Sequence, residues 1–238
     1  EMCIRDSINI IQMQTSNALG KNVLQSKDEI KSLYETFLVT GISAEKLTNH
    51  FKNIGFSTVH ISEQMNKVTD AARSLGVSTK DVSEQSMKNM DKMNQFNFVN
   101  GVDGLAKMAA QAVSLRVNMS DTLTIANKLF DPEQAIEMAA SMQRLGVAQS
   151  DLLDPLRLMD LAQNDPTELQ NQISQMSKQF VQLNKDGQFE IMPGAKRQLM
   201  EIESSLGYPA GQLSKMAISS FEIQDKMNKI KFPENAFN

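Results

Sequence analysis

Apolar residues recur at helical intervals along nearly the whole chain, and strand-like alternation is confined to one short stretch. Ile8, Ile10, Ile11 and Met13 mark a first helix. Ser26-Lys27-Asp28-Glu29 reads as a capping box, in which the Ser hydroxyl and the Glu carboxylate each accept a backbone N–H left without a helical partner. Behind it, Ile30, Leu33, Tyr34, Phe37 and Leu38 follow the i, i+3, i+4, i+7, i+8 spacing of one face of an amphipathic helix. Further stripes fall at Leu47, Phe51 and Ile54; at Ile61, Met65, Val68, Ala72 and Leu75; and at Val82, Met87 and Met90. They continue at Leu105, Met108, Ala109 and Ala112; at Leu123, Ala126 and Phe130; at Ala135, Met138, Ala139 and Met142; and at Leu152, Leu156 and Met159. Leu169, Ile173, Met176 and Phe180 predict a longer helix, and Leu213, Met216, Ala217, Phe221 and Met227 a last one over 210–231.

Between the stripes a small device repeats: an apolar residue, Gly, an apolar residue, then a capping residue or Pro. It occurs at Thr40-Gly41-Ile42-Ser43, Ile54-Gly55-Phe56-Ser57, Leu75-Gly76-Val77-Ser78, Leu145-Gly146-Val147-Ala148 and Leu206-Gly207-Tyr208-Pro209. Leu115-Arg116-Val117-Asn118 is the same device with Arg in the Gly position. Gly just past a helix takes the left-handed conformation, the next apolar residue folds back on the last turn, and Ser or Asn accepts the first N–H groups of the following helix. Arg116 predicts a corner that costs about 1 kcal/mol more, or has another shape, because a side chain penalises positive φ. The spacing between corners is uneven, which argues against a fixed-period solenoid.

Three Asp-Pro steps, Asp131-Pro132, Asp154-Pro155 and Asp165-Pro166, predict helix starts. Asp accepts from the first turn, and Pro at the first position loses a donor that had no partner. Lys185-Asp186-Gly187 predicts a turn, and Phe189 and Ile191 alternate with Gln188 and Glu190, so a short extended or β-like segment is expected near 188–192. Pro193-Gly194 precedes the next helix. The predicted fold is all-α, a multi-helix array of short amphipathic helices joined by Gly corners with that one extended segment.

Composition sharpens this picture. With 238 residues, 16 Met and no Trp, the apolar material is flexible Met, Leu, Ile and Ala, which fills space but specifies a single packing less strongly than aromatics do. A net charge of −4 with scattered Lys and Arg argues against a dedicated nucleic-acid surface. One cysteine, Cys3, excludes an internal disulfide framework. Residues 1–7 resemble a spurious terminus of reading frames assembled from environmental DNA, and the fold is expected to start after them. Residues 8–97 are then N-terminal amphipathic helices open to an elongated arrangement, 98–231 a helical module, and 232–238 a frayed or truncated end. The stretch 94–104, with several Asn and two Gly and no helical period, is the expected internal boundary.

Candidate chemistry is sparse. His50 and His60 lack the Cys, Glu-x-x-His or His-Glu-x-x-His context of a metal site. Asp151, Asp154, Asp160 and Asp165 could suggest paired carboxylates, but capping accounts for most of them. Asn184, Asp186, Gly187 and Glu190 lack the alternating ligands of a calcium loop. Gly20-Lys21 lacks the upstream Gly and downstream Ser or Thr of a phosphate loop. The Met stripes read as core. No catalytic residue, cofactor or metal is expected, and the protein is not expected to be an enzyme.

One resemblance goes further. The run Phe130-Asp131-Pro132-Glu133 with Ala135, then Leu145-Gly146-Val147, Leu153-Asp154-Pro155 with Leu158-Met159, Ala162-Gln163-Asn164-Asp165-Pro166 with Leu169, and Gly187-Gln188-Phe189-Glu190-Ile191 resembles phage tail tape measure proteins, the tail-length determinators. It covers about 98–231, and its specificity lies in the order of the motifs. The resemblance implies a structural virion protein of the tail lumen, made in the host cytoplasm. It also implies self-association with other copies and contact with the tail tube protein, tail assembly chaperones and the host cell envelope during ejection, with no sequence-specific nucleic acid. The rival readings are a helical interaction or signalling bundle, whose unbroken coiled-coil heptads the corners would interrupt, and a non-catalytic part of a tail-associated cell-wall hydrolase.

Overall fold

Among the described residues, seven α-helices begin at a cap or an Asp-Pro step that the sequence places, and six end at one of its corners. The computed structural model describes residues 2–20, 24–55, 60–148 and 150–229. Its α-helices are α1 (Met2–Leu19), α2 (Lys27–Thr40), α3 (Ala44–Asn53), α4 (Ile61–Ser74), α5 (Thr79–Lys88), α6 (Val102–Ser114), α7 (Met119–Lys128), α8 (Pro132–Arg144), α9 (Pro155–Asn164) and α10 (Pro166–Lys178). Strands β1 (Val181–Leu183) and β2 (Phe189–Ile191) follow, then α11 (Ala195–Leu206) and α12 (Gln212–Lys229). The fold is all-α with one small antiparallel ribbon. The backbone of residues 2–7, set aside on sequence grounds, continues α1, while 232–238 lie outside the described residues.

The caps act as their chemistry requires. Ser26 and Glu29 complete a capping box, with Ser26 N donating to Glu29 Oε2 at 2.7 Å and Glu29 N to Ser26 Oγ at 3.2 Å. Ser43 accepts from Lys46 N, Ser78 from Asp81 N and Asn118 from Ser120 N. Asp131 Oδ1 accepts from Glu133 N at 3.0 Å, and Asp154 Oδ1 from Leu156 N at 2.9 Å. The prolines that follow all three Asp residues open α8, α9 and α10. Ser57 lies outside the described residues.

All six corner residues lie at φ between 57° and 82°, Arg116 included. At Gly146 the corner closes by two bonds, Gly146 N to Gln143 O and Val147 N to Met142 O, which satisfy carbonyls the helix end would otherwise leave open. The corners at Gly76 and Gly207 repeat that pair. Arg116 takes the same left-handed conformation despite its side chain, at 57°, and its guanidinium meets Glu222 of α12 at 3.3 Å across a partly exposed gap.

Most predicted stripes point inward. Met65, Val68, Leu105, Met108, Ala135, Met142, Leu169, Ile173 and Met176 are all buried. The departures share a pattern. In α2 the buried face is Ile30, Leu33, Thr36 and Thr40, and Tyr34, Phe37 and Leu38 stand exposed. The two threonines can go inside because each hydroxyl donates to the carbonyl four residues back, at 2.8 and 2.7 Å. Leu156, in the first turn of α9, is 76 % exposed, and Leu158, Leu161 and Ala162 form the inner face instead. Leu129 replaces Phe130 in the core, and Leu75, at the tip of its helix, is exposed.

The extended segment has a partner strand that the periodicity of α10 concealed. Val181, Gln182 and Leu183 pair with Ile191, Glu190 and Phe189. Asn184 closes the turn: its side-chain oxygen accepts from Asp186 N at 3.0 Å and Gln188 N at 2.8 Å. Phe189 stacks on Phe221 of α12 with centroids 5.3 Å apart.

The protein divides into two compact units, Glu1–Val113 with Asn164–Thr167, and Ser114–Gln163 with Glu168–Asn238. The division therefore falls at the Arg116 corner, and the stretch 94–104 lies within the first unit. Phe96 and Phe98 are buried there, and Asn97 Nδ2 donates to Asn164 Oδ1 at 3.1 Å. Gly104, in the first turn of α6, lies so close to the Val99 carbonyl that even a methyl group would not fit, and its own carbonyl accepts from Thr167 Oγ1 at 3.2 Å.

Two substitutions check this account. Arg116→Gly is expected to stabilise the fold by about 0.5–1 kcal/mol, the relief of left-handed strain less the added freedom of the unfolded state. Arg116→Ala keeps the strain and loses the Glu222 pair, so it should give no gain; equal gains in chemical denaturation would trace the effect to the guanidinium. Gly104→Ala must push the Val99 backbone aside and is expected to cost about 1–3 kcal/mol. An unshifted denaturation midpoint would mean that the close approach is not a constraint.

Candidate functional site

The residues that could carry chemistry are dispersed, and each has a local task. His50 lies half-buried in the last turn of α3, and His60 precedes α4, exposed, with Nδ1 3.5 Å from Glu63 Oε2. Among the described residues, no group of three or more His, Cys, Asp or Glu comes together that could hold a metal ion. In the Asp-rich stretch, Arg157 stands between two carboxylates: Nη1 is 2.6 Å from Asp160 Oδ2 and Nε 3.8 Å from Asp151 Oδ2. The shared guanidinium gives both acids an ion-pair partner. Asp154 caps α9, and Asp165 directly precedes α10.

The turn at 184–190 follows the same logic. The Asn184 oxygen that a cation would need already accepts two backbone N–H groups, and Glu190 Oε1 accepts from Gln182 Nε2 at 3.0 Å. Gly20 ends α1 at φ 66°, and Lys21 lies outside the described residues. The Met stripes are core, apart from exposed residues such as Met13 and Met200.

Among the described residues, two cavities border α2 in the first unit. One, of about 180 Å³, is apolar and framed by Ile10, Ile11, Tyr34, Phe37 and Ala44. The other, of about 410 Å³, is a polar groove between α2 and α4 framed by Ser32, Thr36, Thr40, Ser62, Thr69 and Arg73. Its threonine hydroxyls are engaged: Thr36, Thr40 and Thr69 donate to carbonyls of their own helices. These bonds commit the threonine donors of the groove to its own helices.

Buried polar contacts in the second unit escaped the sequence pattern, two of them at the corner after α11. Tyr208 fills the apolar position of its corner, but its hydroxyl lies 2.7 Å from Thr122 Oγ1 of α7. A phenol where the other corners carry Val, Ile or Phe was the available signal. Glu203, buried in the last turn of α11, accepts from Gly211 N at 2.8 Å and Leu213 N at 2.7 Å, so it caps the next helix in the place of the Ser or Asn that Pro209 displaces. Burial raises the Tyr208 phenol well above its ordinary range and lowers the Lys178 ammonium, and neither residue borders either cavity.

Among the described residues, no helix is long and apolar enough to cross a membrane. No protein-family model, curated protein or solved structure matches the sequence.

The Tyr208 contact predicts a signed pH dependence. The folded state holds the phenol proton more tightly than the unfolded state, where it leaves near pH 10. Its contribution is therefore whole below about pH 10 and falls as pH rises beyond it. In a Tyr34→Phe background only Tyr208 reports phenolate absorbance, which should emerge together with unfolding; phenolate in a still-folded protein would overturn the assignment. Tyr208→Phe is expected to cost about 1–2 kcal/mol at neutral pH, because Thr122 loses its buried partner.

Proposed function

We propose that the protein is a segment of a phage tail tape measure protein, a structural virion protein that sets tail length and assists tail assembly and DNA ejection. The order of the motifs from Phe130 to Ile191 carries this reading. It is supported by the work those motifs do, since the Asp-Pro steps open successive helices and Leu145-Gly146-Val147 turns one into the next.

The segment serves as a folded module of that protein, away from its extended ruler. Gln198 Nε2 donates to the carbonyl of Leu145, a residue 53 positions earlier. Had that stretch been one helix, its ends would stand about 80 Å apart at 1.5 Å per residue. A tape folded back in this way contributes little length for its residues, which suits a place near the tube end or against the host envelope. Its partners are other copies of itself, the tail tube protein and the tail assembly chaperones.

The test joins the gene's neighbours to the particle. Genes for tail tube protein and tail assembly chaperones are expected beside it, and peptides of this segment in purified tails by mass spectrometry. Neighbours belonging to a signalling pathway, or tails free of the segment, would overturn the reading.

A further inference from the structure

The stretch 94–104, read from sequence as a boundary, holds the one Asn-Gly step of the protein, Asn100-Gly101. Asn100 is exposed and lies at φ 62°, one of two non-glycine residues at positive φ among those described. Gly101 N donates to Phe98 O at 2.9 Å, closing a turn whose first residue is anchored by a buried Phe98 ring. With Asn at its third position, the turn is one that demands positive φ there.

We propose that Asn100-Gly101 is a self-modification site, at which the amide converts to aspartate and isoaspartate at a rate set by the opening of this turn. The Gly101 nitrogen gives its proton to water or hydroxide and bonds to Cγ of Asn100. The bond between Cγ and the amide Nδ2 breaks, and ammonia leaves with a proton from solvent. Water then opens the five-membered imide. Cleavage at Cγ gives aspartate, and cleavage at the backbone carbonyl gives isoaspartate, whose linkage runs through the side-chain carboxyl. Gly is the residue that makes the step feasible, because no Cβ shields the attacking nitrogen.

In the folded state the attack is restrained twice. The Gly101 N–H is committed to Phe98 O, and the left-handed backbone must rotate before the nitrogen can reach Cγ. Reaction thus proceeds from the open turn, and its rate scales with the open fraction. The product is coupled to the helix behind it. Isoaspartate adds a methylene to the backbone between Val99 and Gly101, beside the Val99 carbonyl that packs on Gly104.

The test incubates the full protein at mildly alkaline pH, folded and in denaturant, and maps residue 100 by peptide mass and isoaspartate assay. Conversion is expected at this position, faster in the unfolded state by about tenfold or more. Asn100→Gly keeps the turn's φ and should remove the product. Equal folded and unfolded rates would overturn the control by the turn, and absence of product in denaturant would overturn the site. The isoaspartate form, separated by ion exchange, should unfold at lower denaturant; an unchanged midpoint would overturn the coupling to α6.

Discussion

A helix end must place its last carbonyls somewhere, and at the ends of α1, α2, α3, α4, α6, α8 and α11 the solution is a residue at positive φ. Everything else follows from how often that solution is used. Helices α3, α5, α7 and α9 are ten residues long, too short to persist alone in water. They persist through packing, because the apolar stripe of each is buried against neighbouring elements. The corner also fixes the phase of burial: Val147 and Tyr208, the residues after Gly146 and Gly207, are buried, so the backbone enters its next helix from the core side.

A core made this way selects for small and pliable side chains. Helix α6 buries Leu105, Ala106, Met108, Ala109, Ala110 and Ala112, an apolar set wider than one stripe. Alanine permits close approach, and methionine fills the irregular space left between helices that meet at varied angles. Several polar side chains enter the core with their hydrogen bonds accounted for. Thr36, Thr40 and Thr69 return their hydroxyls to their own helices, Ser174 meets Ser220 at 2.8 Å, and Glu203 spends its buried carboxylate on the start of α12. Hydroxyls donated to i−4 carbonyls relieve the burial cost within the helix itself.

This division explains what could be read in the sequence. Caps and corners are chemical statements about a few adjacent residues, so Ser26, Asp131, Asp154 and the corner glycines were legible one by one. Burial phase was legible where a stripe was strictly apolar, as at Ala135 to Met142. It was lost where an amphipathic residue could substitute, as with Thr36 and Thr40 displacing Phe37, because periodicity cannot foresee that a hydroxyl will be satisfied by its own backbone. Strand β1 was hidden because Val181 and Leu183 continue the apolar rhythm of α10 and show themselves only through pairing with β2. The contact of Tyr208 with Thr122 depends on tertiary placement. The candidate chemical residues were legible as types, and their tasks emerged only with their neighbours.

The same constraint bears on what such a protein can do. A helix used as a ruler gains about 1.5 Å per residue, and each corner interrupts that gain by ending the helix. Thr122 and Tyr208 stand 86 residues apart in sequence yet share a hydrogen bond. What the corners provide in exchange is lateral surface: exposed faces such as Tyr34, Phe37 and Leu38 on α2 exist because Thr36 and Thr40 took the interior. On the tape measure reading proposed above, distance belongs where such a protein spans the tube and breadth where it meets other components. Residues committed to caps, corners and back-bonded hydroxyls suit the second task, which is why that reading assigns this segment to a folded module and leaves the ruler to other parts.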